Sequence, residues 1–321
     1  MSSMEGWLDF EKPIESLEKE LDLLRLESKD SHKIKDLENK LKGVIEEIYK
    51  GLTPWQSVQL SRHPLRPQTR DYIENLFPDW MELHGDRRFA DDAAVVGGLA
   101  TLPGTKKSVM VIGQQKGRST RQRMETHFGM AKPEGVRKGI RLMETADRLQ
   151  IPVVTFVDTP GAYPGLDAEE RGQAQAIAES IEVMLGIDVP TLAIIIGEGG
   201  SGGALALAAA DRVLMMSLSM YSVISPESAA AILWSNSGLG EKAAEKLKIF
   251  APDLLKRNLI DGVIKEPLGG AHRSWDATFD LVKKTILNEM KKLEKMPTQT
   301  RLKKRHSRFR AIGNEALGMR S

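Results

Sequence analysis

Near its start the chain carries apolar residues at the spacing of three and four that is typical of an amphipathic helix. Two such series flank the polar stretch Ser28–Lys33: Ile14, Leu17, Leu21 and Leu24 before it, and Ile34, Leu37, Leu41, Val44, Ile45 and Ile48 after it. The pattern predicts a helical hairpin within residues 1–52. Because its apolar stripe is narrow and its other positions are rich in Glu and Lys, we expect the hairpin to lie over its own domain in preference to pairing with another subunit.

Prolines interrupt the next segment, residues 53–92, which contains Pro54, Pro64 and Pro67. We predict that this segment is a connector into the main domain.

Short β-rich runs alternate with helical segments over residues 93–296. The predicted strands are Ala94–Leu102, Ser108–Gly113, Pro152–Asp158, Val189–Gly197 and Arg212–Met216. The predicted helices are Glu134–Leu149, Ala168–Leu185, Gly202–Ala210, Pro226–Trp234, Glu241–Leu247, Pro252–Arg257 and Ser274–Lys295. Because the strands are continuous apolar runs, the pattern predicts an α/β domain with a largely parallel sheet covered by helices on both faces.

Composition limits the possible chemistry. The 321 residues include no cysteine, which excludes disulfides, thiolate nucleophiles, iron–sulfur clusters and cysteine-bound zinc in this chain. A formal net charge of +2 gives no global attraction to nucleic acid, which we consider an improbable partner. The start of the sequence lacks the pattern of a secretory signal, and no apolar run approaches the ~20 residues of a membrane span, so we expect a cytoplasmic protein with no membrane partner.

Charge is unevenly distributed near the end of the chain. Residues 297–321 form a predicted basic tail, with six cations: Arg301, Lys303, Lys304, Arg305, Arg308 and Arg310. Contact with nucleic acid or lipid is conceivable, but we expect a mobile, solvated tail.

The most informative stretch is LAIIIGEGGSGGALAL, residues 192–207, which predicts a buried strand, a glycine-rich turn and an apolar helix. Glycines allow other groups to approach the backbone closely, and the free N–H groups of a helix start favour a negatively charged oxygen. The turn is therefore a candidate oxyanion site. Three interpretations compete for it.

A dinucleotide site is the weakest interpretation. Gly197, Gly199 and Gly202 satisfy G-x-G-x-x-G, but the next strand ends in Met215-Met216-Ser217, without the carboxylate that would hold a ribose.

A serine hydrolase is a stronger interpretation, because residues 199–203 satisfy G-x-S-x-G between a strand and a helix. Ser201 would be the nucleophile, and Asp253 or Asp261 followed by His272 would complete the triad order. The alternative is that Ser201 is only a small turn residue.

The third interpretation pairs the turn with VDTPGAYPG, residues 157–165, which leaves the carboxyl end of another buried strand. Two such loops can aim N–H groups at one oxygen and stabilise an oxyanion without a nucleophile. Pro160 and Pro164 could instead merely shape a crossover loop.

Other polar residues favour structural roles. Asp167 and Glu170 fit a capping box, and Ser225 followed by Pro226 fits a helix start. The cations Lys116, Arg118, Arg121 and Arg123 could meet phosphates or an acidic partner, or could form a solvated loop. The spacing of His84, His127 and His272 does not suggest a metal site.

Several long motifs occur together in a specific order. Besides the two glycine loops these are GQQKGR at 113–118, FGMAKPEGVRK at 128–138, YSVISPE at 221–227 and EPLGGAHR at 266–273. From LDFEKPI near the start to about Arg273, the chain resembles the carboxyltransferase alpha-subunit family of bacterial acetyl-CoA carboxylase. This resemblance implies a crotonase-like fold, a superhelix of ββα units.

The resemblance also implies an activity and partners. Members transfer the carboxyl group of carboxybiotin to acetyl-CoA, which gives malonyl-CoA for fatty acid synthesis. Carboxybiotin is supplied by a biotin carboxyl carrier protein, which biotin carboxylase loads, so no cofactor would be bound covalently by this chain. Two alpha subunits work with two beta subunits, and zinc is expected only in beta, whose ribbon uses cysteines. A scaffold for the carrier, without chemistry of its own, is the non-enzymatic alternative.

By the same resemblance, the N–H groups of Gly202 and Gly203 would hold the biotin ureido oxygen, with help from Gly161 and Ala162. The expected biotin-binding surface around them comprises Gly199, Gly200, Ser201, Tyr163 and Pro164.

Overall fold

A mixed β-sheet forms the centre of the computed structural model, which describes residues 6–27 and 30–314. Residues 28 and 29 of the predicted polar break, residues 1–5 of the hairpin segment and residues 315–321 of the predicted tail lie outside the described residues. The strands are β1 Met81–Glu82, β2 Val95–Thr101, β3 Ser108–Gln114, β4 Val153–Thr159, β5 Thr191–Gly200, β6 Arg212–Met216, β7 Met220–Ser222 and β8 Gly262–Ile264.

The strand order is β1-β2-β3-β4-β5-β6-β8. Both β1 and β3 pair with β2 in antiparallel fashion, whereas the pairs from β3 to β8 are parallel. Strand β5 is shared between two neighbours: Leu192 to Ile195 pair with β6, and Glu198 to Gly200 pair with β7. The end of β5 is therefore held on both sides, by β4 and by β7.

Helices surround the sheet. They are α1 Lys12–Glu27, α2 Ser31–Lys50, α3 Pro54–Ser61, α4 Thr69–Leu76, α5 Thr120–Glu125, α6 Pro133–Arg148, α7 Leu166–Glu170, α8 Gln173–Gly186, α9 Ser201–Leu205, α10 Pro226–Trp234, α11 Gly240–Leu247, α12 Ala251–Lys256, α13 Trp275–Glu294 and α14 Thr298–Ala311. Short 3-10 turns occur at Asp9–Glu11, His127–Gly129 and Ser237–Leu239. Among the described residues, no helix combines the length and the apolar character that a membrane span needs.

The core has two layers, one on each face of the sheet. Along β3, Met110 and Ile112 point into a cluster shared with α6, α8 and α9, whereas Val109 and Val111 point into a cluster shared with α4 and α13. This alternation is the two-residue period of a strand that is buried on both faces.

The hairpin helices α1 and α2 contact each other, and α1 buries Ile14, Leu17 and Leu21. Their segment is tied to the main domain by Glu11, which lies 3.1 Å from His272, and by Glu18, which pairs with Arg273.

Residues 53–92 are more than a connector, which corrects the sequence prediction. They form α3, α4 and β1, and they bury Leu60, Tyr72 and Phe77. Pro54 occupies the first position of α3, directly after the capping residue Thr53. Proline is compatible with a helix there, because the N–H at that position has no intrahelical partner.

The predicted solvated tail is also wrong for the described residues up to 314. Residues 298–311 form α14, in which the side chains of Arg301 and Arg305 are buried. Both arginines lie against Asp211 at the start of β6.

Three smaller predictions concern helices and their first residues. Asp167 does not cap α7, because Gly165 occupies the cap position; the Asp167 carboxylate pairs instead with Lys132 and Arg171. The predicted helix Ala168–Leu185 is divided at Gly172, whose φ is +79°. Ser225 does cap α10, where its side chain accepts a hydrogen bond from the N–H of Ser228.

Candidate functional site

Two backbone loops meet at the carboxyl ends of β4 and β5, and we name them here. The proline loop is residues 159–165, and the glycine turn is residues 197–203. The loops leave neighbouring parallel strands, so they emerge at the same edge of the sheet. This is the edge at which ligands of parallel sheets usually bind.

The loops approach so closely that side chains would not fit between them. A Cβ atom on Gly200 would lie 2.0 Å from the carbonyl oxygen of Pro160. A Cβ atom on Gly203 would lie 2.5 Å from the carbonyl carbon of Gly161 and 2.8 Å from the nitrogen of Ala162. The glycines at these two positions are therefore required by contact between backbones.

The backbone N–H groups of the two loops differ in whether they already have an acceptor. The N–H of Gly161 donates to the hydroxyl of Thr159 at 3.1 Å, and the N–H of Tyr163 donates to the carbonyl of Ala131. The N–H of Ala162 has no acceptor among the described residues. Gly202 and Gly203 lie in the first turn of α9, where backbone N–H groups lack intrahelical partners.

The predicted site residues divide into two groups. Gly202, Gly203, Gly161 and Ala162 lie together where the loops meet. Others surround them: Gly199 and Gly200 are buried within β5, Pro164 is exposed, and the Tyr163 ring lies 4.8 Å from the ring of His127 and 4.9 Å from the Lys132 ammonium.

Ser201 is exposed at the start of α9 with a left-handed φ of +50°. This backbone conformation is uncommon for a residue other than glycine, but among the described residues no histidine forms a hydrogen bond to Ser201. The Nε2 atom of His272 lies 3.1 Å from Glu11 Oε1, and its ring lies 4.1 Å from the ring of His63, tilted by 36°.

Of the two predicted acidic partners of a triad, Asp261 is engaged elsewhere. Asp261 accepts a hydrogen bond from Val213 and pairs with Arg212 and Arg308, and Asp253 lies in the first turn of α12. The serine-hydrolase triad is therefore not assembled.

A chain of charged side chains lies beneath the two loops. The ammonium of Lys116 is 3.0 Å from Asp158 and 2.9 Å from Glu198, and Arg62 joins Glu198 to Glu227. Burial alone would raise the pKa of Glu198, but the cations of Lys116 and Arg62 outweigh burial and lower it. The two carboxylates raise the pKa of Lys116 in the same way, against its burial.

The other predicted basic residues do not act as a unit. Arg118 forms two hydrogen bonds to Asp71, and Arg121 pairs with Glu125 on its own helix. Arg123 lines a cavity of about 380 Å³ that also reaches Pro160, Asp158 and Glu198.

One cluster with metal-ligand chemistry was missed from the sequence. Glu11, His63 and His272 place one potential ligand atom each within 4.8 Å of the others. The hydrogen bonds already present oppose a metal: His63 Nε2 lies 2.5 Å from the Gly6 carbonyl oxygen, and its Nδ1 accepts from the N–H of Leu65. Because both ring nitrogens of His63 already have hydrogen-bond partners, the cluster fits a hydrogen-bonded tie better than a metal site.

Comparison with known proteins gives one consistent family. The family described as acetyl co-enzyme A carboxylase carboxyltransferase-like matches residues 7–313. The acetyl-coenzyme A carboxylase carboxyl transferase subunit alpha of Nitrosomonas europaea is 50% identical over 312 residues, which cover 96% of each chain. The protein of the same name from Thermus thermophilus is 50% identical over 311 residues, 95% of this chain and 98% of that one.

Solved structures match with low sequence identity and support the fold. A Pseudomonas malonate decarboxylase hetero-tetramer in complex with coenzyme A gives a TM-score of 0.59 at 16% identity, over 77% of this chain and 96% of that one. Transcarboxylase 12S gives 0.54 at 19% identity over 68% of this chain, which spans 42% of the transcarboxylase chain. The expected crotonase-like α/β fold is confirmed.

Proposed function

The chain belongs to the alpha-subunit family of acetyl-CoA carboxylase carboxyltransferase, and we propose that its two loops supply the oxyanion site for the biotin half of the reaction. Carboxyl transfer in fatty acid biosynthesis is the function of the family, which works in a multi-subunit acetyl-CoA carboxylase complex. The serine-hydrolase and scaffold alternatives are set aside.

One observation carries the proposed site: within the part of the chain that the structure describes, the N–H of Ala162 has no acceptor, and it lies beside the first turn of α9. A Cβ atom on Gly203 would lie 2.8 Å from the Ala162 nitrogen, so the donors on the two loops are near neighbours. The N–H groups of Ala162, Gly202 and Gly203 would hold the ureido oxygen of carboxybiotin as negative charge develops on it. Gly161 would not serve as a donor, because its N–H donates to the hydroxyl of Thr159. It would instead form the part of the proline loop that packs against Gly203.

The surrounding residues would bind the ring of carboxybiotin. Tyr163 offers an aromatic face beside this site, and Ser201 and Pro164 are exposed next to the donors. Gly200 would act from within β5 by allowing the proline loop to lie against the turn, whereas Gly199 would allow β7 to approach, since a Cβ atom there would lie 2.9 Å from the Tyr221 ring.

The partners follow from the same proposal. Carboxybiotin would arrive on a biotin carboxyl carrier protein loaded by biotin carboxylase, and acetyl-CoA would be bound largely by a beta subunit in a two-plus-two assembly. Leu166, which follows the proline loop, is 74% exposed, and Val223, which follows β7, is 77% exposed, so both side chains are accessible to a partner. Without cysteine, this chain would leave a cysteine-bound zinc to the beta subunit.

Gly203→Val tests the proposed site in the complex with the beta subunit. The added side chain would separate the loops, and loss of an oxyanion donor costs roughly 10²- to 10³-fold in kcat. Gly186→Ala is the matched control, because a Cβ atom at that position meets no other group within 4 Å. We expect Gly203→Val to fold and assemble, as judged by circular dichroism and sedimentation, but to lose malonyl-CoA formation. Full activity in a folded Gly203→Val complex would refute the oxyanion assignment.

A further inference from the structure

Gln114 links the glycine turn to Asp158, the residue directly before the proline loop, through one side-chain amide. Its Nε2 donates to the carbonyl oxygen of Gly203 at 2.7 Å, and its Oε1 accepts from the N–H of Asp158 at 3.1 Å. The residue is 1% exposed, so these bonds do not compete with water. We infer that Gln114 is a positioning residue that sets the distance and angle between the glycine turn and the proline loop. This inference rests on the proposed function of those loops.

The sequence position of Gln114 is unusual for its environment. It is the last residue of β3 and points to the same face as Met110 and Ile112, which are core residues. An apolar residue would continue that row, whereas a buried amide costs free energy unless both of its ends are hydrogen-bonded. Both ends are bonded here, one to Gly203 of the glycine turn and one to Asp158, which directly precedes the proline loop.

The orientation of the amide is fixed by its partners. The Asp158 N–H can only donate and the Gly203 carbonyl can only accept, so Oε1 must face Asp158 and Nε2 must face Gly203. A carboxylate side chain of the same length only accepts hydrogen bonds, so it does not donate to the Gly203 carbonyl. A glutamine side chain therefore satisfies both hydrogen-bond partners and does not merely fill the space between them.

Gly203 particularly needs such an anchor. Glycine has the widest choice of backbone angles, so a glycine-rich turn does not hold its own N–H groups in one direction. Holding the Gly203 carbonyl restricts the backbone of the residue whose N–H we propose as a donor. On the other side, Asp158 directly precedes the proline loop, and its Oδ1 accepts from the N–H of Glu198 at 2.9 Å.

Gln115 provides a matched control for Gln114. It is also buried, and it also makes two hydrogen bonds: Nε2 donates to Gln68 Oε1 at 2.7 Å, and Oε1 accepts from the N–H of Arg70. These bonds tie β3 to the region around α4 and do not involve either loop of the site. Loss of Gln115 should therefore weaken folding without moving the proposed oxyanion donors.

The experiment compares Gln114→Leu with Gln115→Leu in the complex with the beta subunit, using acetyl-CoA and carboxylated biotin carrier as substrates. We expect similar losses of thermal stability in both. We expect a kcat lower by roughly 10- to 100-fold in Gln114→Leu only, with KM values little changed, because small misplacements of catalytic groups cost about this much. Equal kcat values in the two variants would overturn the inference.

Gln114→Glu replaces Gln114→Leu as the test variant if Gln114→Leu fails to fold. A protonated carboxyl group can still donate to the Gly203 carbonyl, whereas a carboxylate repels it. The kcat of Gln114→Glu relative to the original protein should therefore rise as the pH falls from 8 to 6, and a constant ratio would overturn the inference. If Gly203→Val is inactive while Gln114→Leu matches its control, only the positioning role fails; if Gly203→Val is fully active, the proposed site itself fails.

Discussion

Arg305 and Asp211 form a buried ion pair that joins α14 to the start of β6. The guanidinium Nε lies 2.7 Å from Asp211 Oδ1, and a second nitrogen lies 2.8 Å from Oδ2, which is the two-point geometry of a strong arginine–carboxylate pair. The same guanidinium also donates to the carbonyl oxygen of Met184 in the last turn of α8, and to those of Ile187 and Val189 just after that helix. Arg305 therefore stabilises three parts of the fold together.

Arg305→Ala should strongly destabilise the protein. The substitution leaves the Asp211 carboxylate buried without its main counter-ion, and breaking a buried pair in this way costs about 3–5 kcal/mol. Urea unfolding followed by circular dichroism measures the change. Lys304→Ala is the control, because this neighbouring cation is exposed and surface substitutions usually change stability by about 0.5 kcal/mol or less. Equal stability of the two variants would show that Arg305 is not needed to hold α14 in place.

Ser201→Ala should retain most of the carboxyltransferase activity. Ser201 has no hydrogen-bond partner for its hydroxyl among the described residues, and His272 is held by Glu11 and His63 instead. A fluorophosphonate probe should leave Ser201 unlabelled, since no general base activates it. Stoichiometric labelling of Ser201, detected by mass spectrometry, would contradict this prediction and favour a hydrolase.

The stability of the protein should fall as the pH decreases from about 6.5 towards 4. Burial, assisted by the neighbouring His272, lowers the pKa of His63 from 6.5 to about 4, although the hydrogen bond to the Gly6 carbonyl and the charge of Glu11 oppose this effect. The unfolded chain binds a proton in this window before the folded chain does, so protonation favours unfolding by up to roughly 3 kcal/mol at the low end.

His63→Gln isolates this contribution. Glutamine can still donate to the carbonyl of Gly6 but does not titrate, so the variant should lose less stability between pH 6.5 and 5 than the original protein. Glu11 does not obscure the comparison, because its lowered pKa acts only below its ordinary value of 4.5. Identical slopes of unfolding free energy against pH would exclude His63 as the titrating group.

The sequence predicted the central strands well because they are apolar runs buried on both faces. Arg212–Met216 is confirmed at both ends, and the predicted strand Val189–Gly197 is observed as Thr191–Gly200. Three-residue strands such as β7 and β8 were not predicted, because they are too short to show a period. Their pairing with longer strands defines them, and that pairing is a long-range property.

The candidate site was predicted as two glycine loops but without its supports. Gly200 and Gly203 are visible in the sequence because close contact between backbones requires glycine. Arg62, Glu198 and Gln114 were missed, since each acquires its role from a partner distant in the chain, as far as 136 positions for the pair Arg62–Glu198. The basic segment around Arg305 was mistaken for a tail for the same reason.

The Arg305–Asp211 pair can form only late in the synthesis of the chain. The two residues are 94 positions apart, so at the usual 5–20 residues per second the ribosome needs roughly 5 to 20 s after Asp211 to make its counter-ion. For most of that interval β6 has already been synthesised, while the Asp211 carboxylate beside it has no Arg305 with which to pair. A nascent chain is therefore exposed to chaperones and proteases for longer than the order of its central strands would suggest, and a pause in translation before residue 305 would prolong that vulnerability.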